Sequence, residues 1–235
     1  MHFYSLRSKR HLLGALALAG SALCLLLQPV QAQTEAWPGK PIKVIVNFPA
    51  GGAADQIARA VTVPLQTALG QPVVVENRGG AGGNIGAKAV AEAKPDGYTV
   101  LTGQVSLMAV NPALYSAPGF DPLKNFVPIT QINAAPLAIV VASASPLKSF
   151  ADLVARSKGE PGRVTYATPG NGTLSHLVGV VLSKENGVPM THVPYKGAGP
   201  AINDLLGQQV DVLITSTSSV AGMIQAGQVR ALAVT

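Results

Sequence analysis

VIVNFPAGG, residues 44–52, and VTYATPGNG, residues 164–172, decide the fold. In each, an apolar run rich in β-branched residues passes through a proline and two glycines and feeds directly into a stretch with helical periodicity. Uninterrupted apolar runs such as VIVNF and VVVE (73–76) suit strands buried on both faces, which belong to parallel sheets. One such strand–loop–helix unit lies in each half of the chain.

Working outward from the first unit, the pattern predicts a strand over 42–47, a helix over 54–69 and a strand over 73–76. A helix over 84–93, a Pro95-Asp96-Gly97 turn and a strand over 98–102 follow. From Val105 to Pro136 the periodicity loosens, with Asn111-Pro112, Ala117-Pro118-Gly119 and Asp121-Pro122 as breakers; this stretch is expected to be the crossing between two lobes. The alternation then resumes, with strands over 138–142, 164–167, 191–194, 210–214 and 230–234. Helices over 149–158, 174–185, 200–206 and 220–226 stand between them. Ser149 is expected to cap its helix, with Asp152 three residues on in the reciprocal place of a capping box. The alternation is that of an α/β protein. The expected division is a signal peptide over 1–32, a first α/β lobe over 33–133, a second over 134–230, and a return crossing at 231–235.

The signal-peptide reading rests on Arg7, Lys9 and Arg10 before an uncharged apolar run from Leu12 to Leu27, ending at Val30-Gln31-Ala32. A run of about 16 apolar residues falls short of the roughly 20 that span a bilayer. Cys24, the single cysteine, lies inside that run behind Leu23, which does not suit acylation, so the mature chain carries no thiol. Cysteine chemistry and disulfides are thereby excluded, and packing must stabilise the fold. Three of the 17 Lys and Arg residues and none of the 11 Asp and Glu residues precede Gln33, so cleavage lowers the net charge from +6 to about +3. A mild positive excess suits an anionic small ligand. With no basic run and only 5% aromatic residues, a nucleic-acid surface is not expected.

The two glycine loops have a physical use. The first turn of a helix leaves backbone N–H groups unpaired and carries about half a positive charge, so a carboxylate there gains donors and field together. Glycine lets a ligand approach the backbone without a Cβ in the way. One loop on each lobe would hold an anion from two sides. The same residues also suit ordinary tight strand-to-helix turns. Asp55, in the first helical turn, either stabilises the helix end or meets the ligand through water or a ligand donor, since its charge repels an anion.

The run Gly79-Gly80-Ala81-Gly82-Gly83-Asn84-Ile85-Gly86 lacks the glycine spacing of a dinucleotide fingerprint, and Asn77-Arg78 separate it from its strand. It reads as a cleft-lining loop or a turn, and no cofactor is expected. Catalytic and metal motifs are absent from the sequence. Of the two histidines beyond the signal, His176 is placed to donate to a carboxylate and His192 reads as a satisfied core residue. A secreted hydrolase using His176 with Ser175 or Thr173 is the alternative, though sequence neighbours do not make a triad.

NFPAGGAADQIAR, LGQPVVVENRGGAGGNIGAKAVAEAKPDGYT, NPALY, FVPIT, TPGNGTLSHL, THVPYKGAGPAINDLLGQQVDV and AGQVRALAVT, spanning about Trp37 to Thr235, resemble the Bug-type receptors of tripartite tricarboxylate transporters. The resemblance implies a two-lobed periplasmic-binding-protein fold of type II with a ligand cleft between the lobes. It implies a periplasmic receptor that captures a small organic acid, without catalysis, for a membrane partner with a large and a small transmembrane subunit, or for a sensor; a monomer is the default for such a shuttle. It places the first ligand loop on Phe48, Pro49, Ala50, Gly51, Gly52, Ala53 and Asp55, and the second on Thr168, Gly170, Asn171, Gly172, Thr173 and His176. Candidate wall residues are Gln104, Ser106, Tyr195, Lys196 and Ser216. Hinge bending is expected at Gln131 to Ala135 and near Ala231. Members of the family continue beyond ALAVT with helices that complete the first lobe, so the chain is expected to be truncated, with apolar surface exposed there.

Overall fold

The computed structural model describes residues 36–235. The expected signal peptide, with Cys24, lies outside the described residues. Among the described residues no helix is long and apolar enough to cross a membrane.

The first half builds a three-stranded parallel sheet of order β2-β1-β3, from β1 (Ile42–Val46), β2 (Val73–Asn77) and β3 (Thr99–Thr102). Successive strand residues point to opposite faces. Ile42, Val44 and Val46 therefore meet Ala58 of α1 (Ala53–Leu69), while the next residue, Asn47, lies against Gly83 and Gly86 at the start of α2 (Asn84–Ala91). A Cβ on Gly86 would stand 2.9 Å from the Asn47 Cα, so only glycine lets α2 pack this close to β1. The Gly79 to Gly86 run is thus a tight wrap, with Gly80, Ala81, Gly82 and Gly83 all at positive φ.

The stretch expected to loosen from Val105 onward is helical at its start. A wide π-type turn covers Ser106–Val110 and runs into α3 (Asn111–Leu114). Pro112 masked this, because proline breaks helix interiors but suits the first turn, where its missing N–H is not needed. Residues 127–136 are exposed throughout, and Val127 and Ile129 are 88% and 78% accessible.

The second half builds a five-stranded sheet of order β6-β5-β7-β4-β8. Its elements are β4 (Leu137–Ala142), α4 (Phe150–Gly159), β5 (Thr165–Thr168), α5 (Leu174–Lys184), β6 (Thr191–Pro194), α6 (Ala198–Leu206), β7 (Val212–Ser216), α7 (Thr217–Gln225) and β8 (Val229–Val234). Strands β6, β5 and β7 are parallel, whereas β4, the strand that enters from the crossing, runs antiparallel to both β7 and β8. The parallel pairing expected for runs such as VIVNF and VVVE is found in the first sheet, while the second sheet is mixed. Both faces are covered. Ala138, Val140 and Leu213 pack with Ala201, Ile202 and Leu205 of α6, and Ile139, Val141, Val212 and Ile214 pack with Leu153 of α4 and Val178 of α5. Truncating a buried leucine such as Leu205 or Leu213 to alanine costs about 2–5 kcal/mol in such a core.

Ser149 caps α4 as expected: its hydroxyl accepts the Asp152 N–H, and the Asp152 carboxylate accepts the Ser149 N–H. The strand expected over 230–234 is present as β8 and pairs with β4 inside the second sheet, Ala231 opposite Val140. One expectation is corrected. Strand β7 lies two residues later than 210–214, because Asp211 is held outside it by the Thr165 N–H and hydroxyl, both 2.8 Å away.

Candidate ligand-binding site

The first loop leaves β1 at Asn47 and enters α1 at Gly52, which takes extended angles at the N-cap and supplies no side-chain cap. Gly51, at φ +82°, turns the chain there, and its N–H donates to Asp55 Oδ2 at 2.9 Å. Asp55 is buried and faces inward. Its carboxylate also accepts from Arg59 Nε at 3.0 Å and from Asn77 Nδ2 at 3.0 Å, and Asn77 Nδ2 donates to the Phe48 carbonyl as well. Burial opposes ionisation of Asp55, yet the hydrogen bonds from Arg59, Gly51 and Asn77 together outweigh it and hold the carboxyl below its ordinary pKa. The residue that looked able to repel an anion is therefore a loop anchor whose charge is matched by Arg59. The Asp-x-x-x-Arg spacing carries that signal in the sequence.

The second loop has a different interior. Thr173 caps α5, its hydroxyl accepting the His176 N–H at 3.3 Å and donating to the Gly170 carbonyl at 2.8 Å. The Gly172 N–H donates to His176 Nδ1 at 3.3 Å. An acceptor at Nδ1 requires a neutral imidazole, and burial lowers the His176 pKa. Thr168 is fully buried and points away from solvent; its hydroxyl lies 2.7 Å from His192 Nε2. Gly170 and Gly172 hold φ +149° and +79°.

Both loops lie in the seam where the two sheets' structures meet. A Cβ on Gly197, which follows Lys196, would stand 3.0 Å from Pro49 Cδ. One on Gly172 would stand 2.6 Å from Asn111 Oδ1 and 2.9 Å from Leu114 Cδ2. The Tyr115 hydroxyl donates to the Asn171 carbonyl at 3.2 Å. Asn111 is fully buried and directs Nδ2 to the Gly82 carbonyl (3.0 Å) and Asn84 Oδ1 (2.6 Å), which turns Oδ1 toward Gly172 of the other lobe. That Oδ1 has no partner among the described residues. Asn111, Tyr115, Arg59 and Asn77 are seam or loop residues that residue-by-residue reading did not single out, although Asn111 and Tyr115 begin and end the NPALY motif.

The candidate wall is less uniform. Ser106 is buried at the start of the wide turn, Gln104 is half-buried, Ala50 and Lys196 are exposed, and Ala53 opens α1. Tyr195 is drawn into its own lobe: its hydroxyl donates to Asp204 Oδ2 at 2.6 Å, and burial together with that carboxylate pushes its pKa up to about 12. Ser216 stands at the amino end of α7 with its hydroxyl 2.8 Å from that of Ser218. Among the described residues no cluster of His, Cys, Asp or Glu side chains is placed to hold a metal ion.

The description "Tripartite tricarboxylate transporter family receptor" (TctC) matches residues 57–235. The chain belongs to this family. BugT of Bordetella pertussis is 40% identical over 207 residues, which cover 88% of this chain and 63% of BugT. Among solved structures, the periplasmic binding protein BugD superposes with a TM-score of 0.80 at 39% identity, over 85% of this chain and 66% of BugD. Rpa4515 of R. palustris, solved with adipate, gives a TM-score of 0.82 at 34% identity over 85% of this chain and 67% of that one. The fold is that of the periplasmic binding proteins, and the family is one of transport receptors, not of enzymes. The chain thus spans a little under two thirds of the length of BugT.

Proposed function

We propose that this protein is an extracytoplasmic receptor that captures a small organic carboxylate in the seam between its lobes. The observation that carries the reading is the amino end of α1. Gly52 offers it no side-chain cap, Gly51 turns the chain without a side chain in the way, and Asp55 is neutralised from behind by Arg59. An uncapped amino end of a long helix presents orphan N–H groups and a partial positive charge to a carboxylate. Rpa4515, with adipate, shows that a relative of the same fold takes a dicarboxylate.

In this reading the chain is exported by the residue 1–32 signal, acts as a monomer, and delivers its ligand to the membrane subunits of a tripartite tricarboxylate transporter. The lobes bend about the exposed 131–135 segment, and the ligand favours the closed form by its higher affinity for it. The loops at 48–55 and 168–176 supply the contacts, with Gln104, Ser106, Lys196 and Ser216 toward the variable end of the ligand.

The test is a panel of aliphatic dicarboxylates, adipate among them, added to the purified protein and followed by thermal unfolding and native mass spectrometry. A bound acid of unchanged mass and a raised melting temperature are expected. Folded protein that retains no acid from the panel, or that releases a chemically altered one, defeats the reading.

A further inference from the structure

His192 lies on β6, the edge strand of the second sheet, where its ring is half-buried. The covered part of such a ring needs partners, because a buried polar group left unpaired destabilises. One partner is the Thr168 hydroxyl, 2.7 Å from Nε2. That hydroxyl oxygen also receives the Gly170 N–H at 3.3 Å. An amide N–H can only donate, so the hydroxyl hydrogen is free to turn to Nε2, its nearer acceptor, the Gly170 carbonyl being 3.4 Å away. The second partner is a ring. His192 stacks on His176 with centroids 4.3 Å apart and planes 18° from parallel, and His176 Nδ1 takes the Gly172 N–H. Tyr166, opposite His192 in the β5–β6 register, stacks on it as well at 4.9 Å. Helix α5 comes near enough to form this column because Gly179 lies directly on the Tyr166 ring, where a Cβ has no room.

We propose that His192 is a positioning residue for the second ligand loop: it fixes the Gly170 amide through the Thr168 hydroxyl and the Gly172 amide through the His176 ring. The proposal rests on the receptor reading for its consequence in binding, but its local content concerns the loop alone. Burial and the adjacent His176 lower the His192 pKa to about 4, which keeps the ring neutral, as an acceptor Nε2 requires, over the pH range of most binding measurements.

The experiment pairs His192→Phe, which keeps a flat ring for the stack and removes Nε2, with Thr168→Val, which removes the hydroxyl at nearly constant volume. Amide hydrogen exchange at Gly170 and Gly172 and adipate affinity by calorimetry are measured for each single variant and for the double. Each single variant is expected to speed exchange at Gly170 about tenfold or more while leaving β1 and Gly51 unchanged. Each should weaken adipate binding about tenfold, and the double should bind no more weakly than the poorer single, since both act through one hydrogen bond. Thr168→Ser, which keeps the hydroxyl, should restore wild-type values and serves if a harsher variant does not fold. Wild-type exchange at Gly170 in His192→Phe, or losses that multiply in the double variant, would overturn the proposal. Wild-type protein that binds no acid defeats the receptor reading instead, and exchange at Gly170 then decides the positioning role alone.

Discussion

The two loops share a sequence plan and differ in what holds them. The loop at 48–55 is open at its helix end and braced from behind by an ion pair, Asp55 with Arg59. The loop at 168–176 has a capped helix, the Thr173 hydroxyl taking the His176 N–H. Each loop ties up one glycine amide, Gly51 to Asp55 and Gly172 to His176, so the difference lies at the helix end itself, uncapped in α1 and capped in α5. A strand, a proline and paired glycines specify a turn into a helix. They do not specify whether the amides of that turn remain available.

Glycine substitutions should separate the loops most sharply. Gly172→Val places a β-branched residue at φ +79° and drives its Cβ into Asn111 Oδ1 and Leu114, so it should hold the lobes apart and reduce affinity more than a hundredfold for any dicarboxylate that the wild-type protein binds, read by calorimetry alongside small-angle scattering. Gly51→Val meets nothing within 4 Å, so its cost is backbone strain at φ +82°, about 1–2 kcal/mol of stability, with a smaller loss of affinity. Equal effects at both positions would remove the distinction between an open and a seam-bound loop.

The braces should differ in their pH behaviour. In the second loop burial lowers the pKa of His176, and burial with His176 lowers that of His192 to about 4. The unfolded chain then binds protons near pH 6.5 that the folded chain does not. The stability is thus complete above pH 6.5 and lost as the pH falls from there toward 4. His192→Phe should flatten the fall in melting temperature across that window. In the first loop the lowered Asp55 carboxyl works lower on the scale: its stability is present above its unfolded pKa, near 3.8, and lost as the pH falls through the folded value. Asp55→Asn should cost about 1–2 kcal/mol at neutral pH and abolish that acid step. A histidine variant that alters only the step below pH 4 would reverse these assignments.

The smallest effect is a control outside both loops. Ser149→Ala removes the α4 cap and should lower stability by about 1 kcal/mol in denaturant unfolding, with dicarboxylate affinity unchanged. A change in affinity would mean that the second lobe transmits strain from α4 to its ligand loop.

Much of the fold was legible because its signals are local. Apolar runs located the strands, the Ser149–Asp152 pair marked the start of α4, and the breakers bounded the crossing. What failed was a rule applied too broadly: Pro112 reads as a breaker but sits in the first turn of α3, where proline is tolerated, and so it concealed the helical stretch around it. In the site, the loops themselves were visible from glycine and proline spacing. The direction in which Thr168 points was not, since it is decided by His192 on another strand, whereas Asp55 and Tyr195 are held largely by nearer partners, Arg59 and Asp204, whose spacing the sequence does show.

The amino-acid sequence by itself determined the α/β alternation, the two strand–loop–helix units and the family, since these follow from periodicity, turn chemistry and motif order along the chain. Only the tertiary structure decided that one helix end is open and the other closed, that Asn111 faces Gly172 across the seam, and that two histidines and a tyrosine stack behind the second loop. The physical reason is that hydrogen bonds and ring contacts depend on distances of a few ångströms between residues far apart in the chain. Those distances are fixed when helices pack on sheets, here at glycines such as Gly86 and Gly179 that set how close each helix can come.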